Sequence, residues 1–204
     1  NVNIIGELFL KINHCLMSLN ESSLKNIKNV RSHEMALSQC RNSILDLGLN
    51  PVVSADTAGS AREVSELKDT SIAAIASPLA AEIYNLKILK EDMEDAGHNT
   101  TRFLILCKDK IIPENKGEKF ITTLVFKVKN VPSALYKAMG GFATNGVNML
   151  KLESYQVDGS FQSTQFYTDL EGHLESEAIE TAIDELKYYS EEIKILGVYP
   201  STRD

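Results

Sequence analysis

The sequence predicts an α/β protein of two parts joined by a charged linker. In the first part, apolar segments of strand length alternate with segments of helical periodicity, which is typical of layered α/β structures with parallel strands. From residue 120 onwards, the predicted order is strand-helix-strand-strand-helix-strand, which is the order of a split βαβ, ferredoxin-like fold. Between the two parts, residues 108–119 are charged, contain Pro113 and Gly117, and show no periodicity. They therefore predict a linker.

Composition narrows the class of protein. The chain has 204 residues, 43% hydrophobic and 24% charged, with a formal net charge of -7. These values are typical of a globular protein, and the acidic balance argues against a general nucleic-acid binder. Cys15, Cys40 and Cys107 lie far apart with no CxxC pattern, so we expect neither a zinc site nor a disulfide. Free cysteines are typical of a reducing compartment, and we expect a cytoplasmic location. No stretch resembles a membrane span or a signal peptide.

The first elements begin close to the start of the chain. Residues Ile4 to Met17 alternate well enough to predict one strand, and we expect His14 on its apolar face to be a satisfied core histidine. Ser32 suits the N-cap of a following helix. That helix is predicted from apolar residues at helical spacing and ends at Gly48: Met35, Leu37, Cys40, Ile44 and Leu45.

A strand at Pro51–Ser54 is followed by Asp56 and Thr57, which suit the cap of a helix running to Leu67. The small residues after this cap would let a ligand approach the helix start, where free N–H groups favour a carboxylate. Ordinary capping explains the same residues equally well. Further on, residues 71–76 predict a strand. A helix then starts with Pro78 and continues through Leu79, Ile83, Leu86 and Leu89.

The stretch from His98 to Leu106 (HNTTRFLIL) is the best candidate for chemistry. Thr101, Arg102 and Phe103 place a hydroxyl, a fixed cation and an aromatic ring in consecutive positions, just before an apolar run that predicts a buried strand. Side chains held at the mouth of a strand are well placed for catalysis. A loop that merely precedes a strand is the alternative.

The last part predicts strands at 120–128, 147–157, 161–170 and 193–199, with helices around 135–142 and 176–190. The residues Val131, Pro132 and Ser133 cap the first helix, which Asn145-Gly146 ends. Asp158-Gly159 is a strong hairpin signal between the two middle strands.

These residues resemble two known families. The last part resembles an ACT domain, on Asn130-Val131-Pro132-Ser133-Ala134-Leu135 and on Leu152-Glu153-Ser154. The upstream part resembles prephenate dehydratase. The blocks that carry this resemblance occur in the family's order: Val30-Arg31-Ser32-His33, Gln39-Cys40, Asp56-Thr57-Ala58, Ala76-Ser77 through Tyr84, and Asn99-x-Thr101-Arg102-Phe103.

The resemblance implies a domain organisation. We expect residues 1–112 to be a prephenate dehydratase catalytic domain, 113–119 a linker, and 120–204 an ACT regulatory domain. The family's catalytic domain has two α/β lobes, like a periplasmic binding protein, and the chain starts at Asn1 inside the first lobe. We therefore expect this catalytic domain to be incomplete here and the native polypeptide to contain further residues upstream.

The implied reaction converts prephenate to phenylpyruvate with loss of water and carbon dioxide, in phenylalanine biosynthesis. By resemblance, Thr101 donates to the departing hydroxyl. Arg102 is a candidate partner for a substrate carboxylate or, equally, for an internal salt bridge. Phe103, the third expected catalytic residue, would pack against the substrate ring or simply form a wall of the site. Thr57, Asn99 and Ser32 are the expected substrate contacts. We expect no cofactor, no metal, and no nucleic-acid or membrane partner.

The resemblance also implies regulation by L-phenylalanine. The segment Val131-Pro132-Ser133-Ala134-Leu135 would present its backbone N–H groups, which Pro132 alone lacks, to the amino acid's carboxylate. Glu153 and Ser154 would lie on a neighbouring copy in a homodimer or homotetramer. The family's glycine is Ser133 here, and its Arg-Pro is Tyr155-Gln156, so phenylalanine inhibition is an open question, as is prephenate against arogenate preference. The alternatives are a non-catalytic amino-acid sensor and, less well supported, a two-lobe solute-binding protein.

Overall fold

The structure, a computed structural model, describes residues 2–97, 99–156 and 164–203. It is a mixed α/β fold with two sheets, as predicted. The strands are β1 (Asn3–Lys11), β2 (Cys15–Ser18), β3 (Asn29–His33), β4 (Asn50–Ser54), β5 (Ile72–Ala76), β6 (Lys87–Lys90), β7 (Thr100–Cys107), β8 (Phe120–Val128), β9 (Met149–Gln156), β10 (Thr164–Glu171) and β11 (Ser190–Pro200). The helices are α1 (Glu34–Gln39), α2 (Arg41–Asp46), α3 (Thr57–Leu67), α4 (Pro78–Ile83), α5 (Ala134–Thr144) and α6 (Glu177–Tyr189).

The chain packs into two compact units. The first unit is Leu10–Thr101, and the second is Asn1–Phe9 together with Arg102–Asp204. The functional boundaries at 112/113 and 119/120 remain a prediction. Within the described residues, no helix has the length and apolar character that a membrane span requires.

The first unit has a five-stranded sheet in the order β4-β3-β5-β2-β6. β3 pairs in parallel with β4 and β5, whereas β2 pairs antiparallel with β5 and β6. One strand of the five, β2, therefore runs opposite to the other four, and the prediction of parallel strands is wrong for it. Alternating side chains on these strands supply two apolar clusters, one that includes α1 and α2 and one that includes α3 and α4. Helices accordingly cover both faces of the sheet.

Two predicted elements near the start of the chain are each divided in the structure. The predicted strand from Ile4 to Met17 is two strands, β1 and β2, because the backbone between them bonds elsewhere. Ile12 N donates to Asn99 O (2.9 Å), and His14 N donates to the carboxylate of Glu94 (2.9 Å). The predicted helix containing Met35 and Leu45 is two short helices, α1 and α2, that meet at Cys40.

Two local predictions in the first unit are wrong or shifted. Ser32 does not cap a helix; it lies in β3, and His33 Nδ1 caps α1 by accepting from Met35 N (3.2 Å). The helix that starts at Pro78 ends at Ile83 instead of continuing through Leu86 and Leu89. Asn85 ends it with a φ of 52°, a left-handed conformation common just after helices, and β6 follows.

The second unit has a six-stranded sheet in the order β7-β1-β11-β8-β10-β9. From β8 onwards the elements follow the predicted order β8-α5-β9-β10-α6-β11. Helices α5 and α6 pack on one face of the sheet, against Leu124, Phe126, Phe166 and Leu170. Thr123 and Asp169, at alternate positions of β8 and β10, lie on the opposite face. The predicted hairpin turn at Asp158-Gly159 lies outside the described residues.

Candidate active site

Three of the predicted site residues line one cavity of the first unit. Thr57, Asn99 and Thr101 border a space of about 380 Å³. The same cavity is lined by two histidines, one acidic residue and several neutral side chains: His14, His33, Asp56, Gln39, Ile12, Met35 and Ala36. The cavity thus combines hydroxyl, amide and imidazole groups, and none of its described lining residues is Lys or Arg.

Strand ends and a helix start position one side of this cavity. His33 is the last residue of β3, and Asp56 and Thr57 follow the end of the parallel strand β4. Carboxyl ends of parallel strands are the usual place for a ligand in an open α/β sheet. Asp56 caps α3, because its carboxylate accepts from Gly59 N (2.5 Å). The earlier amides of this eleven-residue helix, at Thr57 and Ala58, have no acceptor inside the helix.

A chain of polar side chains forms another part of the wall. The ring Nε2 of His14 lies 3.0 Å from Oε1 of Gln39. Gln39 and Asn99 then pair through both amide groups, with Nδ2 of Asn99 donating to Oε1 of Gln39 (3.2 Å) and Nε2 of Gln39 donating to Oδ1 of Asn99 (3.4 Å). His14 is only 5% exposed, so this chain runs from the core of the unit to the cavity.

The sequence analysis missed His14 and Gln39 as members of the site. His14 was expected to be a satisfied core histidine, and it is buried as expected, but its Nδ1 is a buried atom without a partner among the described residues. Gln39 was noted only as part of a family block. No local pattern could have joined them, because 25 residues separate His14 from Gln39 and 60 separate Gln39 from Asn99.

Ser32 is not a group that a ligand in this cavity can reach. Its side chain is completely buried, and its hydroxyl donates to the carbonyl oxygen of Ile75 (2.6 Å). This bond ties β3 to β5 and uses the only proton of the hydroxyl. We therefore correct the expected substrate contact at Ser32 to a structural hydrogen bond between strands.

Arg102 lies in the second unit, where four buried or half-buried groups surround its guanidinium. Its Nε donates to Glu7 (2.7 Å), its Nη1 to Asp169 (2.5 Å) and its Nη2 to the hydroxyl of Tyr199 (2.8 Å). Arg203 adds a second cation, 3.3 Å from Asp169 and 3.6 Å from Glu7. This geometry is that of the internal salt bridge, which was one of the two alternatives for Arg102.

The neighbouring negative charges stabilise the charged form of Arg102. Burial lowers the pKa of Arg102, but its hydrogen bond to Asp169 and the nearby negative charges outweigh burial, so the pKa lies above its ordinary value. For the Tyr199 hydroxyl, burial raises the pKa, to about 12. Arg102 therefore stays charged and Tyr199 stays neutral at physiological pH. Phe103, the third predicted catalytic residue, lies in β7 with 48% of its surface exposed.

The predicted regulatory residues lie in the second unit. Val131, Pro132 and Ser133 form the turn before α5, which starts at Ala134 and Leu135. Ser133 has a φ of 61°, in the left-handed region that favours glycine.

Glu153 and Ser154 lie in β9, the edge strand. The Glu153 carboxylate accepts from Tyr155 and pairs with Lys151 (3.1 Å), and these bonds hold its pKa below the usual value. Tyr155, at the position where the resemblance to ACT domains predicts arginine, therefore binds the Glu153 carboxylate within its own strand.

The comparisons with known proteins agree on one family. A model of the family described as prephenate dehydratase matches residues 1–111. The chain is 48% identical over 199 residues to a bifunctional N-acyl-homoserine lactone acylase/prephenate dehydratase of Komagataeibacter europaeus, covering 98% of this chain and 71% of that protein. It is 36% identical to arogenate dehydratase 2 of Petunia hybrida, covering 98% of this chain and 54% of that protein.

A solved structure is also similar. The prephenate dehydratase of Arthrobacter aurescens in complex with L-Phe matches with a TM-score of 0.90 and 29% identity, covering 98% of this chain and 67% of that one. The agreement extends over both units, and it accompanies a family match that spans more than half of the sequence. The chain belongs to the prephenate dehydratase family.

Proposed function

We propose that this chain is part of an enzyme that converts prephenate to phenylpyruvate with loss of water and carbon dioxide. The single observation that carries this proposal is the cavity in which Thr57, Asn99 and Thr101 come together. In the reaction, the ring C–O bond breaks and the hydroxyl leaves as water after gaining one proton. The ring C–C bond to the carboxylate breaks as well, and its electron pair completes the aromatic ring.

Thr101 is the proposed donor to the departing hydroxyl. A threonine hydroxyl is a weak acid, so it donates a hydrogen bond or relays a proton as negative charge develops on the leaving oxygen. Aromatisation supplies most of the driving force, and a strong acid is therefore not required. Thr101 is exposed at the cavity in this chain, so its hydroxyl is accessible to a ligand.

Neutral donors are the proposed contacts for substrate carboxylates. No lysine or arginine is found among the described residues that line the cavity. The proposed carboxylate donors among the neutral groups are the first amides of α3 near Thr57 and the side-chain amides of Gln39 and Asn99. Oriented N–H groups of this kind bind anions at helix starts, and Asp56 does not compete for the same amides because it caps Gly59.

The test uses the full-length protein and compares Thr101→Ala with Thr101→Ser. We expect the alanine variant to lose on the order of 10²- to 10³-fold in kcat, the cost of removing one donor to a developing oxyanion. The serine variant keeps the hydroxyl and should retain most of the activity. The measurement is the rate of phenylpyruvate formation from prephenate. An alanine variant as active as the serine variant would rule out the role of Thr101.

We further propose that the residues from 120 onwards form an ACT domain that binds L-phenylalanine. The order β8-α5-β9-β10-α6-β11, the turn at Ser133 and the L-Phe complex of the Arthrobacter aurescens relative support this. The expected assembly is a homodimer or homotetramer. Calorimetry with L-phenylalanine and light scattering of the full-length protein test both parts. The occupied carboxylate of Glu153 leads us to expect weaker phenylalanine binding than in members with Arg-Pro in place of Tyr155-Gln156.

The alternative, a non-catalytic amino-acid sensor, makes a distinct prediction. Such a protein would bind L-phenylalanine but would not convert prephenate at any concentration of enzyme. The accessible Thr101 beside the Gln39–Asn99 pair favours the enzyme.

A second activity, hydrolysis of N-acyl homoserine lactones, has two supporting observations. The relative of Komagataeibacter europaeus carries this activity in its name. The first unit also has an apolar cavity of about 350 Å³, suited to an acyl chain and lined mainly by Leu37, Ile44, Leu45, Leu49, Pro51 and Val53. Release of free homoserine lactone from an N-acyl substrate by the full-length protein would support it. Wild-type activity toward prephenate with no such release would exclude it.

A further inference from the structure

The Gln39–Asn99 amide pair can present different groups to a ligand, depending on how the two amides are turned. A side-chain amide has one acceptor oxygen and two N–H donors. As the pair stands, Oε1 of Gln39 receives two bonds, from Asn99 Nδ2 (3.2 Å) and from the His14 ring (3.0 Å). Both of its lone pairs are used. Each amide has one further N–H, for which the described residues provide no partner.

The ring of His14 decides between the two orientations. If both amides were turned over, the Nε2 of His14 would have to accept from Gln39, and the ring proton would move to Nδ1. That nitrogen is completely buried and has no partner in the described part of the chain. A buried N–H without an acceptor is rarer in proteins than an under-used acceptor. The tautomer with its proton on Nε2 is therefore favoured, and with it the orientation in which Oε1 of Gln39 faces His14.

The backbone fixes His14 in turn. Its N donates to the carboxylate of Glu94 (2.9 Å), and its O accepts from Met93 N (2.9 Å). Asn99 is held in the same way, because its O accepts from Ile12 N (2.9 Å). The backbone is thus held at both ends of the polar chain, and the side chain of Gln39 lies between these two fixed positions.

We propose that His14 is a positioning residue, which holds the Gln39–Asn99 pair so that Gln39 offers an N–H donor, and not its carbonyl oxygen, to the ligand beside Thr101. This inference rests on the proposed dehydratase function. Donors suit the keto oxygen and carboxylates of prephenate. They are unfavourable for an ammonium group, which has only donors of its own, so the arrangement should favour the keto acid over the amino acid arogenate.

The test measures kcat/KM of the full-length protein for prephenate and for arogenate, in wild type and in a matched pair of variants. His14→Gln keeps an N–H donor at about the position of Nε2, whereas His14→Met has similar length and no donor. In His14→Met we expect kcat/KM for prephenate to fall about tenfold, mainly through a higher KM, which is the effect of one misoriented hydrogen bond. Arogenate should change less, so the preference shrinks. In His14→Gln the preference should stay within about threefold of wild type.

Asn99→Asp is the second variant, for use if His14→Met loses its native circular dichroism or melting transition. It replaces an amide that donates by a carboxylate that only accepts, and we expect the preference to move toward arogenate. An unchanged ratio of the two kcat/KM values in His14→Met, or in Asn99→Asp, would overturn the proposal. A wild-type protein that prefers arogenate would overturn it too, while the dehydratase function would stand. A wild-type protein that dehydrates neither compound would refute both.

Discussion

Replacing Arg102 with methionine should destabilise the second unit strongly, because two carboxylates depend on it. The side chains of Glu7 and Asp169 are 0% exposed, and Arg102 is 16% exposed. Removing one member of a buried ion pair typically costs about 3–5 kcal/mol, since the remaining charge stays buried. Arg203 still lies 3.3 Å from Asp169 and 3.6 Å from Glu7. We therefore expect a loss at the lower end, about 3 kcal/mol.

Urea denaturation at pH 7, followed by circular dichroism, measures the free energy of unfolding of this variant. The matched control is Lys187→Met, which breaks an equally short pair with Asp184 (2.7 Å) whose side chains are 64% and 69% exposed. Such surface pairs contribute less than about 1 kcal/mol. Adding Asp169→Asn to Arg102→Met removes one of the two buried carboxylates that lost this partner and should recover about 1–2 kcal/mol. Equal losses for Arg102→Met and Lys187→Met would refute the reasoning.

Three further predictions concern single residues. Ser133→Gly should raise the free energy of unfolding by about 0.5 kcal/mol, because glycine adopts the φ of 61° without the steric cost that serine bears; a loss of stability in urea would contradict this. Burial, together with nearby carboxylates, raises the pKa of the Cys40 thiol to about 12. Iodoacetamide between pH 7 and 9 should therefore modify the half-buried Cys107 and leave Cys40 unmodified until the protein unfolds. Mass spectrometry of the peptides measures both modifications. Asp56→Ala removes the cap of α3 and should cost about 1 kcal/mol in thermal unfolding, whereas an unchanged melting temperature would mean that its bond to Gly59 contributes nothing.

The secondary structure could be predicted where the periodicity is strong and local. Strand β8 agrees with its prediction at both ends, since it is rich in β-branched and aromatic residues and its first five residues are all buried. β3 was missed because its alternation is short: Val30 and Ser32 are buried while Asn29 and His33 are not. A polar residue at a buried strand position is stable there only because β5 offers a carbonyl to its hydroxyl, and no sequence window contains that information.

The candidate site was predictable only in part, for the same reason. Thr57, Asn99 and Thr101, which the resemblance suggests as site residues, line one cavity, and their roles remain a prediction. The contacts of Arg102 could not be predicted, because Glu7, Asp169 and Tyr199 lie 95, 67 and 97 residues away from it in the sequence. Long-range polar pairs of this kind leave no periodic signal, and they decide whether a cation is available to a ligand.

Strand β7 has a practical consequence for anyone who prepares this chain by itself. It forms one edge of the six-stranded sheet, and its successive large apolar side chains at Phe103, Leu104, Ile105 and Leu106 are 37–57% exposed. Unpaired backbone groups beside bare apolar side chains act as a template for strands of other molecules. Self-association through this edge would be mistaken for assembly through regulatory modules. Leu104→Lys together with Leu106→Lys would distinguish these two kinds of association, because the lysines block edge pairing and leave the turn before α5 and strand β9 unchanged.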